Sequence, residues 1–395
     1  MEAYLWQWLQ LGARWLHVVA GAAWIGTSFY FNWLNHGLRP PGTPRPGVSG
    51  ELWSVHGGGF YQVEKYSIAP ERLPARLHWF KWEAYATWLS GASLLVLVYY
   101  LGADAFLLDR SVADIGPGTG IAIGVAAIVG GWLLYEALCR TPLVERPGLF
   151  AIVGLVVATG AAWALSGWIS GRAAYIHVGA AVGTIMAANV FLVIIPAHRK
   201  LVAAVEAGGE PEAWRGVAAS RRSLHNNYLT LPVVFLMISN HYPMTYAHPL
   251  GWLILGALAL VGGWIRHYYN LRHAGRNRPW MLALGAAGLG AVALLATAGT
   301  PEPIAAGASG APVDFRQVRE VIAVRCAVCH SAHPVHDLFD APPGGITFDT
   351  AEEIRSRGDE IHAVTVETRI MPLGNLTRMT EEERALVGRW SEQSH

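Results

Sequence analysis

Hydrophobic and polar positions along this chain fall into two regimes. As far as residue 298, long apolar stretches alternate with short polar ones; beyond 313, apolar residues recur at helical spacing in otherwise polar sequence. Eight stretches are long and apolar enough to span a bilayer, with cores at 9–34, 80–101, 120–139, 149–170, 173–195, 228–247, 249–268 and 280–298. The sixth is broken by Pro232, Asn240 and Pro243. The fourth and fifth are nearly continuous, with Ser170-Gly171-Arg172 making the turn. In the polar stretch 36–78, alternating residues flank a glycine run at Val55-His56-Gly57-Gly58-Gly59-Phe60, which reads as a β-hairpin.

Thr300 to Pro312 is rich in Gly, Ala and Pro and reads as a flexible linker. A polar unit follows. Phe315, Val318 and Ile322 give one helix; Thr350 with Glu353 and Thr380 with Glu383 are capping boxes that start two more. The last helix presents Leu386, Val387 and Trp390 to a core. The expected fold is therefore all-α: an eight-helix transmembrane bundle at 1–299, a linker at 300–312, and a small three-helix domain at 313–395.

Composition agrees with this division. The chain has 395 residues, 53% of them hydrophobic and only 14% charged, as a polytopic membrane protein would. A net charge of +1 gives no reason to expect nucleic acid as a partner. The N-terminus lacks the basic start and small-residue cleavage site of a signal peptide, so the first apolar segment is expected to stay as an anchor. Lys and Arg gather in alternate loops: 36–78 (Arg39, Arg45, Lys65, Arg72, Arg76), 140–148 (Arg140, Arg146), 197–227 (Arg199, Lys200, Arg215, Arg221, Arg222) and 266–278 (Arg266, Arg272, Arg276, Arg278). The intervening loops carry only Arg110 and Arg172. The basic loops are expected in the cytoplasm and both termini outside, in the periplasm of a bacterial inner membrane.

The most specific chemical signal is Cys326-Ala327-Val328-Cys329-His330. Two thiols at this spacing with a histidine directly after form the attachment signal for a c-type haem: the cysteines add to the vinyl groups and His330 becomes an axial ligand. A zinc site would want a second ligand pair, and Cys139, the remaining cysteine, is far along the chain and reads as a free thiol. Met371, before Pro372, is the candidate second ligand to iron; Met379 is its nearest rival, whereas His333, His336 and His362 read as loop or helix histidines. Three helices around one haem make a small class I-like cytochrome c domain, in which the haem supplies much of the core. Attachment of c-type haem on the periplasmic side agrees with the charge pattern.

Ionisable residues inside the apolar segments fall at two depths. Towards the outer side lie His17 and His177, with Arg14, His241 and His248 at the rim. A histidine pair of this kind is suited to a b-type haem or a metal, or simply to hydrogen bonds with neighbouring helices. Towards the inner side are His56 beside the glycine run, Lys81 and Glu83 at the start of the second segment, His225-Asn226-Asn227, and Arg266-His267. Together these read either as the lining of a pocket for a flat, anionic, hydrogen-bonding molecule, or as capping and snorkelling residues. No GxSxG nucleophile accompanies the glycine run, which argues against a hydrolase.

The order of these stretches resembles one family. The chain begins with His17-Val18-Val19-Ala20-Gly21-Ala22-Ala23-Trp24-Ile25-Gly26-Thr27-Ser28, continues through HGGGFY (56–61), LHWFKWEAYATWLSG (77–91) and HNNYLTLPVVFLMISNHYP (225–243), and ends in CAVCH and MPLGNLTRMTEEER (371–384). It is similar to the membrane-bound bacterial urate oxidases (urate hydroxylases) with a C-terminal cytochrome c domain. The resemblance implies oxidation of urate to 5-hydroxyisourate with oxygen from water, electrons passing to the attached haem c and on to a cytochrome c or terminal oxidase. From the residues alone, an electron-transfer module serving a quinol or a dehydrogenase, and a transporter or sensor with a redox-reporting haem, stay open; the oligomeric state is not legible.

Overall fold

The fold is given by a computed structural model that describes residues 2–67, 69–70, 72–298, 313–336, 339 and 341–393. Helices occupy all eight apolar stretches. Helix α1 (Glu2–Gly37) leads into the antiparallel hairpin β1 (Val48–His56) and β2 (Gly59–Tyr66). Helix α2 (Trp82–Leu94) widens into π-helical turns at Leu95–Tyr100 and Ala103–Leu107. Next come α3 (Pro117–Cys139), α4 (Pro147–Ser166) and α5 (Gly171–Ala188), the last running through a π-turn at Asn189–Ile194 into α6 (Ile195–Glu206). Helices α7 (Ala213–Ile238), α8 (Pro243–Tyr246), α9 (Gly251–His273) and α10 (Trp280–Ala298) complete the bundle.

Local sequence explains these limits. Pro117 and Pro147 open α3 and α4, where a missing N–H costs nothing. Ser170 caps α5 by accepting from the Ala173 N–H at 3.2 Å. The hairpin pairs His56 with Gly59 across Gly57 and Gly58, whose φ angles of 57° and 81° suit the two-residue turn that matches strand twist.

The sixth stretch departs from expectation. Its helix starts at Ala213, fifteen residues before the apolar core at 228, and stops at Ile238. The early half of α7 is amphipathic, so its hydropathy conceals it. Pro232 is accommodated, with Gly262 of α9 lying against it, and the real break is at Ser239 to Tyr242, ahead of Pro243.

Helices α3, α4, α5 with α6, and α10 are long and apolar enough to cross a membrane. Only 11% of the apolar window of α3, α4 or α10 is buried. Val129, Leu133, Ile152, Val156, Leu284 and Leu294 point outward. A water-facing surface does not carry apolar area on this scale, whereas lipid accepts it. The chain order gives the bundle two ends: a basic end, where α1, α3, α6 and α9 finish, and a far end with the α2–α3 turn and the α4–α5 join. The densest core lies towards the far end, where Leu107, Leu108, Ile169, Tyr175 and Leu255 are almost wholly buried.

The C-terminal unit holds α11 (Phe315–Arg325), α12 (Ala351–Ser356), α13 (Gly358–His362) and α14 (Glu381–Gln393). Both expected capping boxes form: Thr350 and Glu353 bond reciprocally, as do Thr380 and Glu383. Its core is Val318, Ile322, Ile354, Ile361, Met379, Val387 and Trp390. The unit touches the far end of the bundle, where the Arg110 N–H donates to the Gly374 carbonyl at 3.3 Å. The linker expected at 300–312 lies outside the described residues.

Candidate functional site

Near the basic end, α7 acts as a hub. Four successive residues on it reach four other helices. His225 Nδ1 meets the Tyr135 hydroxyl of α3 at 2.8 Å, with its ring stacked 4.8 Å from Phe150 of α4. Asn226 donates to the Met186 carbonyl of α5 and accepts from Asn189, both at 2.9 Å. Asn227 Oδ1 accepts from Arg266 Nε and Asn270 Nδ2 of α9, both at 3.0 Å. The Tyr228 hydroxyl meets His267 Nδ1 at 2.7 Å. One turn earlier, Arg222 donates to Asn189 Oδ1 at 3.1 Å and to Glu136 Oε2 at 2.8 Å.

The two sides of this hub differ in how completely their polar atoms are matched. On the α3–α5 side the Arg222 charge is balanced by Glu136. Asn189, Asn226 and Tyr135 share bonds so fully that the side reads as a structural clasp. On the α9 side Arg266 is only 3% exposed, and no carboxylate pairs with it among the described residues. Its guanidinium lies 4.0 Å from the Phe29 ring centroid of α1. Among the described residues, its Nη2 and Nδ2 of the equally buried Asn227 have no hydrogen-bond partner. The orientation of Asn227 is forced, because two donors already converge on its Oδ1. Asn32 of α1 closes the group by donating to Asn270 Oδ1 at 2.9 Å. Buried donors beside a cation and an aromatic face suit a flat, anionic acceptor.

Arg266 is thus a buried residue rather than a snorkelling one. The other inner candidates do not gather round it. His56 sits exposed at the hairpin tip. Lys81 precedes α2, with Nζ 5.6 Å from the Trp82 ring centroid. Glu83 lies in the first turn of α2, with Oε2 buried and unpartnered. His225 belongs to the clasp. Asn32, Tyr135, Glu136, Asn189, Arg222 and Asn270 were not singled out in the sequence. The available signal was an amide or charged residue inside an otherwise apolar helix.

His17 and His177 are not brought to one point. The His17 ring lies against Gly91 of α2, and its Nδ1 is 3.0 Å from the Thr87 carbonyl. The His177 ring lies against Gly124 of α3, with Nδ1 2.8 Å from the Ala173 carbonyl. His177 is wholly buried, and its Nε2 is pressed against Gly124. The two rings therefore sit in separate notches on different helices, His17 against α2 and His177 against α3. Tyr99 and Tyr100 pack on the same imidazole, at centroid distances of 6.1 Å and 5.8 Å.

The C-terminal residues do fit a c-type haem. Cys326 and Cys329 form no disulfide, so both thiols would be available to the vinyl groups. The His330 Nδ1 lies 3.2 Å from the Ile346 carbonyl, so that nitrogen carries the proton and Nε2 is left to coordinate. Met379 is 4% exposed and part of the core, its backbone held by Asn375. Met371 is only half-buried, and its carbonyl is fixed by Arg384 at 2.8 Å. Met371 is thus the more accessible of the two sulfur candidates. Met371→Ala is expected to abolish the weak sulfur-to-iron band in the far red while the domain stays folded. Met379→Ala is expected to keep that band and cost about 2–5 kcal/mol of stability, measured by thermal melting of the Soret signal. The reverse pattern would exchange the two assignments.

The family model described as urate oxidase N-terminal matches residues 3–297, the helical bundle without the C-terminal unit. No curated protein and no solved structure matches the chain.

Proposed function

The chain belongs to the urate oxidase N-terminal family, and on that footing we propose that it oxidises urate to 5-hydroxyisourate. Urate binds beside Arg266, water supplies the oxygen, and the electrons leave through haem c. The single observation carrying this reading is the uncompensated, buried Arg266 with idle donors on itself and on Asn227. Urate is a planar monoanion at neutral pH with carbonyl oxygens on its rim. A guanidinium and an amide N–H₂ match those acceptors, and the Phe29 ring offers a flat wall.

The reaction joins the urate monoanion and water and releases 5-hydroxyisourate, two electrons and one proton. Arg266 steadies the charge that grows as urate loses its second proton. Tyr228 and His267 flank Asn227 and Arg266 in the chain and already share a hydrogen bond, so they accept and pass protons. Cys326, Cys329, His330 and Met371 would hold haem c, which would supply one-electron transfer towards a respiratory cytochrome c or oxidase. From His177 to Met186, beside the hub, is nine residues of α5, roughly 14 Å along its axis. Tyr99, Tyr100 and His177 lie between the hub and the far end and form the route. Eight crossings, with the basic end cytoplasmic and the C-terminal unit periplasmic in a bacterial inner membrane, agree with the docking of that unit on the far end.

Purified full-length protein tests the reading under anaerobic conditions. Urate is expected to reduce the haem Soret band, with two equivalents of ferricyanide consumed per urate. Reduction by a quinol with none by urate would instead make the chain an electron-transfer module.

A further inference from the structure

The C-terminal unit meets the bundle through the loop that carries the candidate iron ligand. Met371-Pro372-Leu373-Gly374 ends on the turn between α2 and α3, and the Arg110 N–H donates to the Gly374 carbonyl at 3.3 Å. Gly374 has φ of 56°, a left-handed conformation in which a Cβ is strained. A Cβ added there would stand 2.9 Å from the Asp104 carbonyl oxygen, 3.0 Å from that of Leu108 and 3.4 Å from that of Ala105. Glycine is thus required twice at this residue, once by its backbone and once by the surface it meets.

Both surfaces at the contact are firm. Leu107 and Leu108, directly behind the turn, are 0% and 1% exposed and belong to the main core. On the other side Arg384, itself 5% exposed, donates to the carbonyls of Met371 at 2.8 Å and of Thr365. Asp109 of the bundle lies close enough for its charge to bear on Arg384. Below the turn, Gly120 of α3 packs on Leu107 and Leu108, and Gly124, one helical turn along, packs on His177. His177 with Tyr99 and Tyr100 therefore lies about one turn, ~5.4 Å of axis, beneath the contact.

We propose that Leu373-Gly374-Asn375 is a docking key that seats the haem domain, methionine side inward, on the 102–110 turn, and that this turn is the port through which the bundle delivers electrons. The proposal rests on the reading of the chain as a urate oxidase with a haem c outlet. At the port one electron moves at a time. Each electron would pass from urate in the bundle to the one-electron acceptor that Cys326, Cys329, His330 and Met371 would hold, and no bond would form or break at the port. The second electron follows once an external one-electron acceptor, ferricyanide in the assay, has reoxidised the iron.

The test uses full-length, haem-loaded protein with two variants, Gly374→Val in the key and Asp109→Lys on the bundle side. The second places a cation near Arg384 without touching the methionine loop. Two readouts are taken: amide exchange of the peptide spanning 104–112, and the anaerobic rate of haem reduction by urate, with reduction by ascorbate as the control. The port predicts faster exchange at Arg110 and a urate-driven rate lowered about tenfold or more in both variants, with ascorbate reduction unchanged. If Gly374→Val also loses the far-red sulfur band, Asp109→Lys decides. Exchange and rate both at wild-type values would overturn the proposal, and so would altered exchange with an unaltered rate. Should urate fail to reduce wild-type protein, the assigned reaction falls instead, and exchange alone then judges the dock.

Discussion

Replacing Arg266 with Met is expected to lower kcat/KM for urate by at least ~100-fold, about 2.7 kcal/mol at 1.36 kcal/mol per tenfold, while leaving the protein as stable as before or more so. The two effects run in opposite directions for one reason. A cation held among apolar helices without a counter-ion costs roughly 2.5–3.5 kcal/mol on insertion scales. Arg266 recovers part of this through Phe29 and Asn227. Methionine fills a similar length without the charge, so thermal stability in detergent is not expected to fall. Arg266→Lys keeps the charge but loses the planar fork, and should retain only a small part of the activity. A stability loss as large as the activity loss would mark Arg266 as a structural residue. Arg222 is the internal contrast. It is tied to Glu136 and Asn189, so Arg222→Met leaves Glu136 with Arg140 alone, takes a buried donor from Asn189 and is expected to destabilise the bundle.

Removing the first thiol should have the other large effect. Cys326→Ala is expected to abolish fully attached haem and with it all urate-driven reduction of ferricyanide, read on a haem-stained denaturing gel and in the anaerobic assay. Cys329→Ala should do the same, whereas Cys139→Ser, at the end of α3, should leave the haem band intact. The loss extends to folding. Among the described residues the buried C-terminal core is Val318, Ile322, Ile354, Ile361, Met379, Val387 and Trp390, and a unit of this size has little apolar area to spare. Cys326 packs against that core, so its loss removes the tether and a contact together. A haem-stained band of wild-type intensity from Cys326→Ala would refute the attachment site.

Much of this molecule was legible in its sequence because its signals are periodic or local. The eight helices follow from apolar runs, the hairpin from alternation about Gly57 and Gly58, and the two capping boxes from a residue pair three apart. The proposed haem attachment signal is a pentapeptide. What escaped depends on partners distant in sequence. The start of α7 at Ala213 was hidden because its first half is amphipathic. Nothing in the local sequence around Asn32 or Asn189 says which helix each will meet. Arg266 could be read as buried or snorkelling until its neighbours were known. His17 and His177 looked like a pair by depth alone, but each ring settles into a glycine notch on a different helix, Gly91 or Gly124. Depth is a one-dimensional property, whereas coordination of a shared group requires agreement in three.

The hub on α7 also limits how this chain can vary. Its four consecutive residues point to their partners because each step along a helix turns by about 100°. Inserting or deleting one residue within α7 upstream of His225 would rotate the whole set away from α3, α5 and α9 at once. Side chains there can be exchanged singly, but the phase of the helix is shared by all of them. Length changes should therefore be confined to the loop before Ala213 and to the break after Ile238, which work as the two phase boundaries of the site.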